Sequence, residues 1–205
     1  MRVLIILLMM FIYVDAKGIY NSSNSTFDVV KTSKPHNLKA VGRVIATYKF
    51  IDKLGVNYIV YSQSKKSYGD MHNKKLYLYH YVKSNNRFRL LRKIYDFQEC
   101  HESEAILLKI LDNSLSVTDL DNDNIAEITF VYRLVCYSDV AGIPMKLMML
   151  ENGKKYALRG ACALRYNNVI YDLENSGYKS DKSFKNRNFL KFAQKEWSRY
   201  NIKEL

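Results

Sequence analysis

The chain is short of the residues that break or staple a fold. Its 205 residues include two prolines, eight glycines and one tryptophan. That excludes a collagen-like or Pro/Gly-rich low-complexity chain. Three cysteines, Cys100, Cys136 and Cys162, are too few for a disulfide-dense scaffold, and an odd number cannot all pair within one chain. The four histidines, His36, His72, His80 and His101, show no metal-ligand spacing. No nucleophile elbow, HExxH motif or phosphate-binding loop occurs, so the common hydrolase and nucleotide-binding signatures are absent. Acid is scarce as well, with 20 Asp and Glu against 32 Lys and Arg. The longest apolar run covers residues 3–14, shorter than the roughly twenty residues that cross a bilayer as a helix.

What is present indicates an exported globular protein. Hydrophobic residues make up 48% of the chain and there are 17 tyrosines. Arg2, the apolar run and Val14-Asp15-Ala16 have the form of a secretory signal over residues 1–16, with no stable membrane span expected after cleavage. Residues 17–35 are rich in Ser, Asn, Thr and Lys and are expected to form a flexible polar leader. Asn21-Ser22-Ser23 and Asn24-Ser25-Thr26 fit the N-glycosylation pattern, which matters only in a eukaryotic host. Residues 36–205 then form one domain. The net charge of +12 favours polyanionic partners. Export makes nucleic acid an unsuitable natural target, which leaves an anionic glycan or another envelope component. The expected location is the periplasm or the cell surface.

Alternation of apolar and polar residues predicts an antiparallel, mainly β domain, a sandwich or a partial propeller-like hairpin meander. Strands are expected over residues 43–50, 56–61, 75–82, 87–97, 128–135, 145–150 and 155–162. Residues 62–73 read as a polar loop, and 102–110 as either helix or strand. Asn152-Gly153 between apolar runs is a strong hairpin signal. Tyr77, Tyr79 and Tyr81 share a face, read as a half-buried sheet surface. Phe184, Phe189, Phe192, Ala193, Trp197 and Tyr200 predict an amphipathic C-terminal helix at about 183–200.

The sharpest chemical signal is Asp119-Leu120-Asp121-Asn122-Asp123-Asn124-Ile125-Ala126-Glu127. Carboxylates at every second position repel one another unless a cation sits among them. Hard cations such as Ca²⁺ take six to eight oxygens from carboxylates and backbone carbonyls. The expected ligands are Asp119, Asp121, Asp123, the Ile125 carbonyl and Glu127. The loop is not an EF-hand, because that motif wants Gly and Glu where Asn124 and Phe130 stand. Asn tolerates the left-handed backbone, so the turn can form without Gly. Strand, acidic loop, strand resembles the calcium loops of FG-GAP and VCBS-type β-repeats, with Leu120, Ile125 and Ile128 as the apolar frame. A second acidic group, Glu99, Glu102 and Glu104 beside His101, reads as charged surface.

In an oxidising compartment two of the cysteines pair. Cys100–Cys136 is favoured, closing a loop against the acidic hairpin and leaving Cys162 buried. Cys136–Cys162 is the alternative.

A longer resemblance runs from Ser116 through Phe130, on to Tyr132-Arg133-Leu134 and Cys136, then Ser138-Asp139-Val140, Met145-Lys146-Leu147 and Lys155-Tyr156-Ala157-Leu158-Arg159-Gly160. Over about residues 115–160 the chain resembles an exported family of Bacteroidetes-type bacteria linked to surface polysaccharide biosynthesis through a lipopolysaccharide phenotype. Asn124 replaces that family's usual Gly. The resemblance implies a cell-envelope role and no known reaction. The leading expectation is a non-enzymatic, calcium-binding envelope protein that supports surface polysaccharide biosynthesis or display. An adhesion or protein-interaction module is the alternative, and a glycan-active enzyme a weaker one.

Overall fold

Residues whose side chains alternate between two environments settle into strands, because successive side chains point to opposite faces. The computed structural model describes residues 25–137, 142–171 and 173–204. The expected signal and residues 17–24 lie outside the described residues, as do Ser138, Asp139 and Val140. The first sheet contains β1 (Val30–Lys31), β2 (Arg43–Asp52), β3 (Gly55–Tyr68), β4 (Met71–Ser84) and β5 (Arg87–His101), paired in that order. The second contains β6 (Ala105–Ile110), β7 (Ser116–Thr118), β8 (Glu127–Tyr137), β9 (Ile143–Glu151), β10 (Lys154–Tyr166), β11 (Val169–Tyr171) and β12 (Gly177–Ser180). Its main path runs β11-β10-β9-β8-β6, with β7 also on β8 and β12 on β10. The helix α1 (Arg187–Tyr200) precedes β13 (Ile202–Glu204), which pairs parallel to β10. The result is a β-sandwich with a C-terminal helix.

Three apolar layers hold it together. Phe50, Ile59, Leu76 and Leu78 from the first sheet meet Leu108, Ile128, Phe130 and Leu150 from the second. The outer face of the second sheet, through Val131, Met145, Leu147 and Leu158, packs on Phe189, Ala193 and Trp197 of α1. This sheet is therefore covered on both sides, and β8 and β9 are apolar nearly throughout. On the outer face of the first sheet Tyr77, Tyr79 and Tyr81 are buried with Val60 under Leu38. The Tyr79 hydroxyl accepts from the Val41 amide at 3.1 Å, and the Tyr81 hydroxyl donates to the Lys39 carbonyl at 2.7 Å. The tyrosine face is thus packing surface.

Glycine is scarce because asparagine does its work. Every described non-glycine residue with positive φ is Asn. Asn85-Asn86, Asn152-Gly153 and Asn167-Asn168 each join two strands with both residues left-handed, the backbone a tight hairpin requires. Gly160 is needed for a different reason. A Cβ there would lie 1.7 Å from the Gly177 carbonyl oxygen of β12. Gly160→Ala is expected to push β12 off β10 and cost about 1–3 kcal/mol. The single tryptophan, Trp197, makes an edge contact with Tyr178 of β12 at 5.4 Å. Its emission during urea unfolding would report the loss, and an unchanged midpoint would contradict it.

Three sequence expectations change and one left open is resolved. Residues 62–73 are not a loop: β3 and β4 continue to Tyr68 and Met71, with only Gly69-Asp70 turning. Ladder pairing does not require apolar side chains, and Lys65, Lys66 and Ser67 simply face solvent. Residues 102–110 resolve as a turn followed by strand β6. The helix begins at Arg187 rather than 183, where the Asn186 side chain accepts from the Asn188 amide at 2.9 Å. The described part of the expected flexible leader is docked. Val29 is buried, Phe27 stacks toward Phe50 at 6.2 Å, and the Thr26 amide donates to the Val117 carbonyl at 2.8 Å. Two apolar side chains and an unpaired strand edge suffice to hold that segment.

The disulfide joins Cys100 of β5 to Cys136 of β8 and so ties the two sheets. Cys162 is buried and in no disulfide. Among the described residues no helix is long and apolar enough to cross a membrane.

Candidate metal centre

The acidic loop is closed at its base by the ladder pair Thr118 and Glu127. Within it, the Asp119 carboxylate accepts from the amides of Asp123 at 3.1 Å and Asn124 at 3.2 Å, and Asp123 accepts from the Ile125 amide at 2.7 Å. Asn122 and Asn124 take φ of 60° and 63°, so Asn124 supplies the left-handed turn without glycine. Neighbouring elements brace the loop from two sides. The Asp52 carboxylate accepts from the Ala126 amide at 3.1 Å, and the Lys53 amide donates to the Asn124 carbonyl at 2.9 Å. From the start of α1, the Asn188 side chain donates to the Leu120 carbonyl at 3.2 Å.

Glu127 sits at the centre and is fully buried. Its Oε2 accepts from the Leu120 amide at 2.9 Å and the Thr118 hydroxyl at 3.1 Å. Its Oε1 has no hydrogen-bond partner. Directly opposite on β9 stands Glu151, also buried, which accepts from the Tyr156 hydroxyl at 2.8 Å. Carboxylate oxygens of Asp119, Asp121 and Glu127 lie within 4.8 Å of one another, and so do those of Asp121, Asp123 and Glu151. Burial pushes the Glu127 carboxyl up to about 7; the Leu120 amide and Thr118 hydroxyl oppose this, and Asp121 and Asp119 add to it. Burial, then the Glu151 carboxylate, raises the Tyr156 hydroxyl.

The magnitudes argue for a counter-charge. Two unit charges about 4.8 Å apart repel by roughly 3–4 kcal/mol at an effective dielectric of about 20. Five acids in two overlapping groups multiply that term. A divalent cation would convert each repulsion to attraction and give Oε1 of Glu127 a partner. The donor set is all oxygen, which suits a hard cation and not a thiolate-seeking one.

Asp119, Asp121 and Glu127 thus share one group, and Asp123 stands with Asp121 and Glu151 in the other. The Ile125 amide helps to build the turn. Sequence reasoning missed Glu151 and Asp52. Glu151 is 24 positions from Glu127 in the chain and joins it only through strand register. The Asn152-Gly153 turn sets the register of β9 with β10, not with β8, so no local signal marked the pair. The other acidic group stays exposed: Glu99, His101, Glu102 and the turn before β6 face solvent, and the Glu104 carboxylate caps the His101 amide at 3.0 Å. The sulfurs of Cys100 and Cys136, close to Glu104, are consumed by their bond to each other.

Comparison with known proteins gives no match: no family model fits the chain, and no curated protein or solved structure is significantly similar to it.

Proposed function

We propose that this chain is an exported, non-enzymatic, Ca²⁺-binding cell-envelope protein that supports the biosynthesis or display of surface polysaccharide. The observation that carries the metal is the pairing of two buried glutamates, Glu127 and Glu151, across neighbouring strands beside three loop aspartates. The Cys100–Cys136 bridge supports export, since such bonds persist in oxidising compartments. The envelope role rests on the resemblance over residues 115–160. In this reading Asp119, Asp121, Asp123, Glu127 and Glu151 hold the ion. The ion locks the loop to β8 and β9, and through Asp52 to the first sheet.

Titration calorimetry on EDTA-treated protein tests the metal. One Ca²⁺ per chain should bind with Kd below about 1 mM, the range of extracellular calcium modules. Asp121→Asn, which removes a charge shared by both acid groups, should weaken binding at least about tenfold, as expected for one lost charge at this spacing. No heat at millimolar CaCl₂ would refute the metal. Deletion of the gene in its host should alter the surface polysaccharide, and an unchanged glycan profile would refute the envelope role.

A further inference from the structure

We infer that the cleft beside β5, where β9 and β10 turn cations toward the first sheet, is a binding groove for an anionic polysaccharide, lined by Arg92, Lys146, Lys155 and Arg159. The proposal rests on the reading of an exported protein and stands independently of the metal. Met148, Leu150 and Ala157 of β9 and β10 point into the inter-sheet core, and Lys146, Lys155 and Arg159 share that face at its rim beside β5. Lys146 pairs in register with Tyr132, and Arg159 with Lys146, which places both on the face that Tyr132 turns to the inter-sheet core. Lys155 pairs with the core residue Leu150 and shares that face.

A cleft of 350 Å³ lies between this face and β5, with all four cations in its walls. A second, of 610 Å³, shares Arg92 and Lys155 but opens onto the helix side of the sheet, toward Tyr156 and Phe189. The Arg92 Nε donates to the Gly153 carbonyl at 2.6 Å, which leaves the rest of a five-donor guanidinium for a ligand. Among the described residues no carboxylate forms an ion pair with Arg92 or Lys155. The acids nearby are engaged. Asp96 accepts from Lys146 at 2.5 Å and from the Tyr132 hydroxyl at 2.8 Å, and Asp181 pairs with Arg159 at 2.9 Å. Lys154 and Lys185 stand exposed at the wider cleft, whose remaining acids, Asp121 and Glu151, belong to the metal cluster.

The 350 Å³ cleft is cationic: Arg92, Lys93, Lys146, Lys155 and Arg159 line it against one acid, Asp96. That lining suits a hydrated polymer that carries repeating negative groups, rather than an apolar small molecule. A nucleic acid shares the charge, but the disulfide points to a compartment without it.

The test is a binding titration of the full chain with dextran sulfate, neutral dextran and a single-stranded oligothymidylate. Dextran sulfate should bind and neutral dextran should not. Lys155→Glu should lower dextran sulfate affinity roughly tenfold, because the change sits in a half-buried site of lowered dielectric. Lys66→Glu, the same charge change at the exposed far end of β3, should lower it less than about twofold. Lys93→Glu, exposed at the mouth of the same cleft, gives the same reading as Lys155→Glu if the latter fails to fold. Equal losses from the groove variants and Lys66→Glu would overturn the proposal, since that is general attraction to a basic protein. Binding to neutral dextran as tight as to the sulfated polymer, or tighter binding of oligothymidylate, would overturn it too. Intact Ca²⁺ binding in Lys93→Glu separates failure of the groove from failure of the metal centre.

Discussion

At pH 8, saturating CaCl₂ raises the melting temperature of EDTA-treated protein by roughly 5–10 °C, and Glu127→Gln abolishes the shift. A ligand bound only by the folded state adds about 2.7 kcal/mol at a hundred times its Kd. For a chain of this size each kcal/mol is worth roughly 2–4 °C. Glu127 is the key position because it is fully buried, its Oε1 lacks a partner, and its carboxyl is pushed up to about 7. Without metal the folded state therefore holds a proton that the unfolded chain releases near the ordinary value of 4.5. The stabilisation is fully present below about pH 4.5 and is lost as pH rises through about 7, an effect on the order of 3 kcal/mol. Calcium reverses this slope, because the ion favours the charged form. Gln cannot ionise, and its amide can face the neighbouring carboxylates, so Glu127→Gln should be more stable than wild type at pH 8 in EDTA. Thermal unfolding at pH 5 and pH 8, with and without calcium, reads all of this. A less stable variant that kept its calcium shift would contradict the assignment.

Reduction of the Cys100–Cys136 bridge should be the second large effect. The bond spans 36 positions, for which the chain-entropy relation gives about 4 kcal/mol. That corresponds to a fall in melting temperature of roughly 8–15 °C. The bond also ties β5, the edge of the first sheet, to β8 in the middle of the second. Dithiothreitol should lower the stability of wild type toward that of the Cys100→Ala, Cys136→Ala double variant, and leave the double variant unchanged. Cys162→Ala should remain as sensitive to reductant as wild type, since Cys162 is buried and bonded to no other cysteine. A loss below about 1 kcal/mol would show that the strands are held in place without the bridge.

The legible parts of this protein were those set by local chemistry. Alternation along β4, the β-branched and aromatic run of β8, the Asn-Gly turn and the amphipathic spacing of α1 are short-range patterns, and each forms its element. The closeness of Asp119, Asp121 and Glu127 follows from their spacing within one loop. What stayed hidden depends on partners far along the chain. Glu151 belongs to the site because β8 and β9 pair in one register out of several. Polar residues 62–68 extend β3 because β4 offers a ladder, not because of their own preference. Ser25 to Val29 dock because β7 and the core edge wait for them. The cations of the groove look like surface residues in sequence, and only the register of β8, β9 and β10 places Lys146, Lys155 and Arg159 on one inner face beside β5.

Diffraction from crystals grown in CaCl₂, collected at a wavelength where calcium scatters anomalously, tests the centre most directly. One anomalous peak should stand among the carboxylates of Asp119, Asp121 and Glu127, with Glu127 Oε1 turned toward it. A map with no peak there, with those side chains directed outward to bulk water, would contradict the claim that buried like charges mark a cation.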